Sequence, residues 1–218
     1  MKSFYERSDA GISLDCLSFE QFLKFGFDRT LEDRCWYHSE DFLIGNPSHT
    51  TRHLIKFFRE PEILSGKYTP RQIEQGLYFV ANLLCYIKFT GLFWDTRLPF
   101  ELREELIFAN YELFARFFAH HETEHVCFMW WDVLAYGYYM ENGKPADEDG
   151  ARVQQAMFET LKKILEIDSE ACRQSALHGL GHLKHPETEK TINDFLRRNR
   201  VSQELKDYAQ ACIDGTMG

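Results

Sequence analysis

Ala171-Cys172-Arg173-Gln174-Ser175-Ala176-Leu177-His178-Gly179-Leu180-Gly181-His182-Leu183-Lys184-His185-Pro186-Glu187 is the stretch on which the reading of the fold turns. Ser169, just before it, is a helix N-cap residue, whose hydroxyl can accept from an otherwise unpaired amide. Cys172, Ala176, Leu180 and Leu183 recur every three or four residues, the spacing of one helical face. Pro186 cannot continue a helix, so the segment predicts a helix from Ser169 that stops before Pro186. Gly179 and Gly181 cost roughly 1 kcal/mol each against alanine inside a helix. That cost is tolerable where a neighbouring helix must come close.

The same residues resemble the second helix of a HEAT repeat and the turn after it. That family's pattern has an arginine near the helix start, then alanine, then Ala-Leu-Gly-x-Leu-Gly and a short turn with Pro-Glu. Arg173, Ala176, Leu177, Gly179, Leu180, Gly181, Pro186 and Glu187 approximate it, with His185 where an aspartate is usual. Thr191, Ile192, Phe195 and Leu196 look like the first helix of the following repeat. An offset of about 44 residues, within the spacing of such repeats, sets Val133, Tyr136 and Gly137 against Leu177, Leu180 and Gly181. The resemblance covers about residues 148–215, weakens over 99–147 and is lost before that. It implies stacked helix pairs with the second helices lining a concave binding surface. An irregular bundle with one glycine-rich helix is the alternative.

Working outward, other helix starts are legible. Ser18 precedes Phe19 with Gln21 three positions on, a capping box. Ser48 opens a helix through Phe58. Thr69-Pro70-Arg71-Gln72 joins an N-cap, a proline at the first helical position and a capping glutamine, and predicts a helix to Lys88. Further helices are expected from Pro99 to about His120, Glu124 to Glu141, Asp147 to Glu166, Glu187 to Asn199 and Ser202 to Ile213. Connections of roughly 2 to 8 residues suit antiparallel neighbours. Strand signals are nearly absent, and Asn142-Gly143 reads as a helix end. The expected fold is all-α: antiparallel helix pairs stacked as a short HEAT-like α-α superhelix. It forms one domain over 1–218, with an irregular helical part over 1–68 and the helix pairs over 69–218.

Composition narrows the function classes. The 218 residues carry a net charge of −9, the wrong sign for displacing counterions from nucleic acid. An acidic surface suits a basic protein partner instead. The six cysteines are scattered, with no Cys-x-x-Cys, and read as small core residues in a reducing cytoplasm. No apolar run is long enough to span a bilayer, and Met1-Lys2-Ser3-Phe4 lacks a signal-peptide pattern. No nucleophile-elbow, P-loop or dinucleotide fingerprint is present.

Three groups of residues carry candidate chemistry. His121-Glu122-Thr123-Glu124-His125 matches H-E-x-x-H, which on one helix would let His121 and His125 hold zinc with Glu122 as general base. Glu124 is atypical there, His120–Thr123 resembles a corner between helices, and Glu141, Glu148 and Glu159 are third ligands only by distance. A helix boundary within His120–Glu124 is therefore expected. His178, His182 and His185 span about 60° of one helix face, opposite the apolar set, and are expected on the exposed side. Pro186 should let His185 swing away. His49 and His53 form a further pair expected on an exposed face. Trp130, Trp131 and Tyr138 lie on the helix that the offset aligns with the histidine helix, so Trp130 and Tyr138 would share a groove with Gln174 and His182. Trp131 is as easily a core residue.

The sequence thus reads as a non-catalytic, cytoplasmic protein-binding scaffold of inhibitor or immunity type. Its expected contact residues are Trp130, Trp131, Tyr138, Gln174, His178 and His182, its partner another and basic protein, with no cofactor, direct nucleic acid or membrane. The alternative is a zinc-dependent hydrolase using His121, Glu122 and His125.

Overall fold

The computed structural model describes residues 7–8, 11–29, 36, 42–85, 91–121, 123–135, 140–141, 144–145 and 147–217. Its helices are α1 (Phe19–Phe27), α2 (Pro47–Arg59), α3 (Pro70–Cys85), α4 (Phe100–Leu113), α5 (Glu124–Ala135), α6 (Glu148–Leu165), α7 (Glu170–Leu183), α8 (Thr188–Arg198) and α9 (Gln203–Asp214). The fold class is all-α.

Local chemistry starts these helices where expected. The Ser18 hydroxyl accepts from the Gln21 amide and the Gln21 side chain accepts from the Ser18 amide, closing the capping box of α1. Thr69 and Gln72 make the same reciprocal pair ahead of α3. Asp147, Ser169 and Ser202 cap α6, α7 and α9 through their side chains. Lys184 and Gly215 take left-handed conformations just past α7 and α9, at φ 49° and 67°, and turn the chain there.

The helices stack in two rows. One row is α2, α4 and α6, and the other is α3, α5, α7 and α9, with α1 against α3. Neighbours within a row run parallel: Arg103 and Ile107 of α4 meet Asp149 and Thr160 of α6 in the same order. Partners across the rows run antiparallel. Gln154 near the start of α6 donates to the Leu183 carbonyl at the end of α7, 2.8 Å away. A Cβ at Gly179 would stand 2.7 Å from Leu161 and 2.8 Å from Trp131, so the glycine lets α6 and α5 close on α7. The N-terminal end is packed by aromatics. Phe79 meets Phe22, Phe25, Trp36 and Phe42 at centroid distances of 5.0 to 6.3 Å. Each such fully buried ring stabilises the fold by about 1.5–3 kcal/mol.

Departures from the sequence reading have local causes. Short strands are present: β1 (Arg7–Ser8), β2 (Gly11–Ser13) and β3 (Phe42–Leu43), with β2–β3 parallel. The ladders are too short to leave a period-2 signal. A second antiparallel pair, β4 (Met140–Glu141) with β5 (Lys144–Pro145), flanks Asn142-Gly143. The helix expected to run to Glu141 does not reach it, because Met140–Glu141 pairs as strand with Lys144–Pro145. Helix α2 begins at Pro47 rather than Ser48, because proline at the first helical position sacrifices no hydrogen bond. After α4 the chain winds wider over Phe114–Phe118, and the Ala119 amide bonds the Phe114 carbonyl five residues back at 3.0 Å. No helix among the described residues is long and apolar enough to cross a membrane.

Candidate functional site

The H-E-x-x-H motif does not lie on one helix. His120 and His121 sit in a turn and bend, Thr123 is outside helix, and α5 begins at Glu124. The Cys127 amide donates to the Thr123 carbonyl at 2.9 Å, which puts Thr123 at the N-cap position. A helix boundary falls where the sequence reading expects it. The two imidazoles have different tasks. His121 Nδ1 donates to the Phe117 carbonyl at 2.9 Å, and its ring stacks on Phe117 at 4.1 Å. His125 Nδ1 is hydrogen-bonded to the Tyr78 hydroxyl on α3. Glu122 lies outside the described residues. Among the described residues no three His, Cys, Asp or Glu side chains converge as a metal-binding group.

The tryptophans are not groove anchors. Trp130 is 1% exposed and Trp131 2%. Trp130 Nε1 donates to Asn110 Oδ1 at 2.8 Å, and its ring packs edge-on against Phe58 and Phe118. Asn110 in turn donates to the Leu106 and Ile107 carbonyls, so the buried amide is satisfied on both ends. Trp131 lies against Gly179 and Phe114. Helix α5 is an inner helix of its row, with α3 and α7 on its two flanks, and both rings fall on covered faces. Tyr138, the third expected anchor, lies outside the described residues.

The histidine stripe on α7 is also corrected. His178 is 4% exposed rather than solvent-facing. Its Nδ1 is 2.6 Å from the Tyr208 hydroxyl of α9, and Phe128 of α5 covers its ring at 4.5 Å. The helix face opposite the apolar set is thus covered by the flanking helices. His182 is half-buried, with Nε2 3.2 Å from His178 Nε2, and Gln174 is half-buried one turn earlier. His185 leaves the stripe as Pro186 predicts. It stacks on Phe158 at 3.9 Å and bonds Gln155, and burial pushes its pKa below the usual histidine value. His49 and His53 are half-buried rather than exposed. Both donate from Nε2 to the Leu17 carbonyl, at 2.8 and 2.9 Å, tying α2 to the segment before α1.

The sequence reading missed a face of α4. Leu102, Arg103, Leu106, Ile107, Ala109, Asn110 and Leu113 are buried, including two polar side chains. Arg103 is held by two 2.6 Å bonds to Asp149, which keeps the Asp149 carboxyl below its ordinary pKa. The opposite face carries Glu101, Glu104, Glu105, Phe108, Tyr111 and Glu112 within an arc of about 120°. Phe108 is 39% exposed and is the one large exposed hydrophobic side chain among the described residues. Arg59 engages Glu105 at 2.9 Å, and Lys163 lies 5.5 Å from the Phe108 ring centroid. Arg103 and Asn110 inside and Phe108 outside dilute the contrast between the two faces, so hydropathy alone marks the buried side only weakly.

No protein-family model matches the chain, and neither the curated proteins nor the solved structures include a significant match to it.

Proposed function

We propose that the chain is a non-catalytic, protein-binding scaffold for a basic partner, of inhibitor or immunity type, acting in the cytoplasm. The observation that carries this reading is the outer face of α4, where Phe108 and half-buried Tyr111 sit among Glu101, Glu104, Glu105 and Glu112. An exposed aromatic beside four glutamates of its own helix suits a binding anchor with an electrostatic guide, with Arg59 on Glu105 and Lys163 near the ring as the cations at its edge. The chain's net charge of −9 supports the sign of the partner. Free thiols at Cys16, Cys127, Cys172 and Cys212 suit a reducing compartment. The division of His121 and His125 between two local structures speaks against the zinc hydrolase alternative.

The contact surface moves with this reading. Trp130 and Trp131 become structural, Gln174, His178 and His182 lose their groove role, and the α4 face takes it over. Affinity capture with the wild-type chain should recover a basic protein whose binding weakens with salt. The double substitution Glu104→Lys and Phe108→Ala should abolish capture with the circular dichroism spectrum unchanged. A partner held equally well by that variant would overturn the assignment.

A further inference from the structure

We infer that Cys127 and Cys172 form a redox-sensitive pair, which closes to a disulfide and clamps α5 to α7 when the chain meets hydrogen peroxide. Both are free thiols in this structure. Cys127 lies in the first turn of α5 and Cys172 in the first turn of α7, and their side chains are hydrogen-bonded to each other. Neighbouring contacts fix that juxtaposition independently. Ser175, one turn after Cys172 on the same helix face, donates from Oγ to the Cys127 carbonyl at 2.6 Å. One turn further along both helices, a Cβ on Gly179 would stand 2.8 Å from Trp131 Cβ. The two backbones therefore run close along the line that carries both thiols, as a disulfide's Cα separation of about 4.4–6.8 Å requires.

The two sulfurs are not equivalent. In the resting state Cys172 Sγ donates weakly to the Phe114 carbonyl at 3.9 Å. The hydrogen bond with Cys127, the Ser169 hydroxyl and the Arg173 guanidinium together hold Cys172 below the usual thiol range against its burial, whereas Cys127 is held above that range. Cys172 is therefore the attacking thiolate and Cys127 the resolving thiol. The Cys172 thiolate attacks one oxygen of hydrogen peroxide and the O–O bond breaks. The departing hydroxide takes up the proton that Cys172 released and leaves as water, with Cys172 now a sulfenic acid. The Cys127 sulfur then displaces hydroxide from Cys172 and forms the S–S bond, and its own proton leaves with that hydroxide as a second water. The two thiols lose two electrons and the peroxide gains them. Burial of both sulfurs favours an oxidant this small and uncharged. In a reducing compartment the thiols are the resting state and the disulfide is transient. The closed loop holds all of α6, so the clamp stabilises by restricting the unfolded chain. Neither cysteine is on α4, so the pair stands or falls independently of the partner proposed there.

The test is treatment of the reduced full chain with hydrogen peroxide at neutral pH, then unfolding in an alkylating agent and peptide mapping without reductant. Cys127 and Cys172 fall in different tryptic peptides, which should appear joined and lighter by two hydrogens. The thermal midpoint of the oxidised chain should rise by roughly 5–15 °C and return to its starting value with dithiothreitol. Cys127→Ser should leave Cys172 as a sulfenic acid that dimedone traps on unfolding, with no rise in midpoint. The mapping is done on the wild type, so it does not depend on the folding of that variant. Oxidised Cys16 with Cys127 and Cys172 both still alkylated would overturn the pair, as would a cross-link that leaves the midpoint unchanged. Either result with partner capture intact would leave the scaffold proposal standing.

Discussion

Substituting Gly179 by alanine probes the stacking of three helices at once. In an open helix the change would stabilise by about 1 kcal/mol, because glycine is the poorer helix former. Here the new methyl would lie 2.7 Å from Leu161 Cδ2, 2.8 Å from Trp131 Cβ and 2.9 Å from Trp131 Cγ. The leucine methyl ends a side chain that can rotate. The Trp131 Cβ is tied to the α5 backbone, so relief requires α5 and α7 to part by a few tenths of an ångström. Overpacking of this kind costs about 1–3 kcal/mol. Set against the gain in propensity, the net effect is a loss of up to about 2 kcal/mol. Urea denaturation should show a lower midpoint at unchanged slope, since the area exposed on unfolding is the same. In a chain of this length the thermal midpoint should fall by about 2–4 °C for each kcal/mol lost. A stabilised Gly179→Ala protein would refute the close approach of α5 and α6 to α7.

Other perturbations check other parts of the structure. Trp130→Ala should cost about 3–5 kcal/mol in urea denaturation, because it opens a cavity and strips Asn110 of its donor; unchanged stability would place that ring on the surface. The Asp149 carboxyl, whose pKa Arg103 depresses, contributes stability present above its unfolded pKa and lost as pH falls through the lower folded value. Acid unfolding below about pH 4 should therefore be steeper in the wild type than in Arg103→Met. Burial holds the His53 pKa low, so its folded form resists protonation, and the wild type should lose stability as pH falls below about 6.5. His53→Gln should flatten that part of the curve. Burial pushes the Cys212 thiol up to about 12, and the hydrogen bond with Cys172 together with burial raises Cys127, so both should escape alkylation in the native protein while exposed Cys16 reacts; peptide mapping by mass spectrometry reads this directly.

What the sequence could reveal depended on whether the cause was local. Capping at Ser18, Thr69, Asp147, Ser169 and Ser202 involves residues three apart, and each start is where the side chains place it. The break in the H-E-x-x-H motif was legible for the same reason. Gly179 signalled a close approach without saying which helix makes it; α5 and α6 both do. Burial of Trp130, Trp131 and His178 was not legible, because an inner helix is covered on more than one side by segments far away in sequence. A single apolar stripe identifies a helix's first neighbour and misses the next. The α4 face was blurred by two buried polar side chains and one exposed aromatic. Arg103 is buried because Asp149, on the next helix of its row, pairs both terminal nitrogens of its guanidinium, and Asn110 because Trp130 and two backbone carbonyls satisfy its amide. Those partners are 20 and 46 residues away for the side chain–side chain bonds, outside any periodicity window. The hairpin at Met140–Glu141 and Lys144–Pro145 was overlooked because two-residue strands carry no alternation.

Docking of a basic protein on the outer face of α4, as proposed, would change which side chains meet solvent. Oxidative side-chain footprinting of the chain alone and in complex with its captured partner tests it most directly. Phe108, 39% exposed in the free chain, and half-buried Tyr111 should lose most of their labelling on binding, while buried Trp130 and Trp131 stay unlabelled in both states. Full labelling of Phe108 and Tyr111 in the complex, with protection on another face, would contradict it.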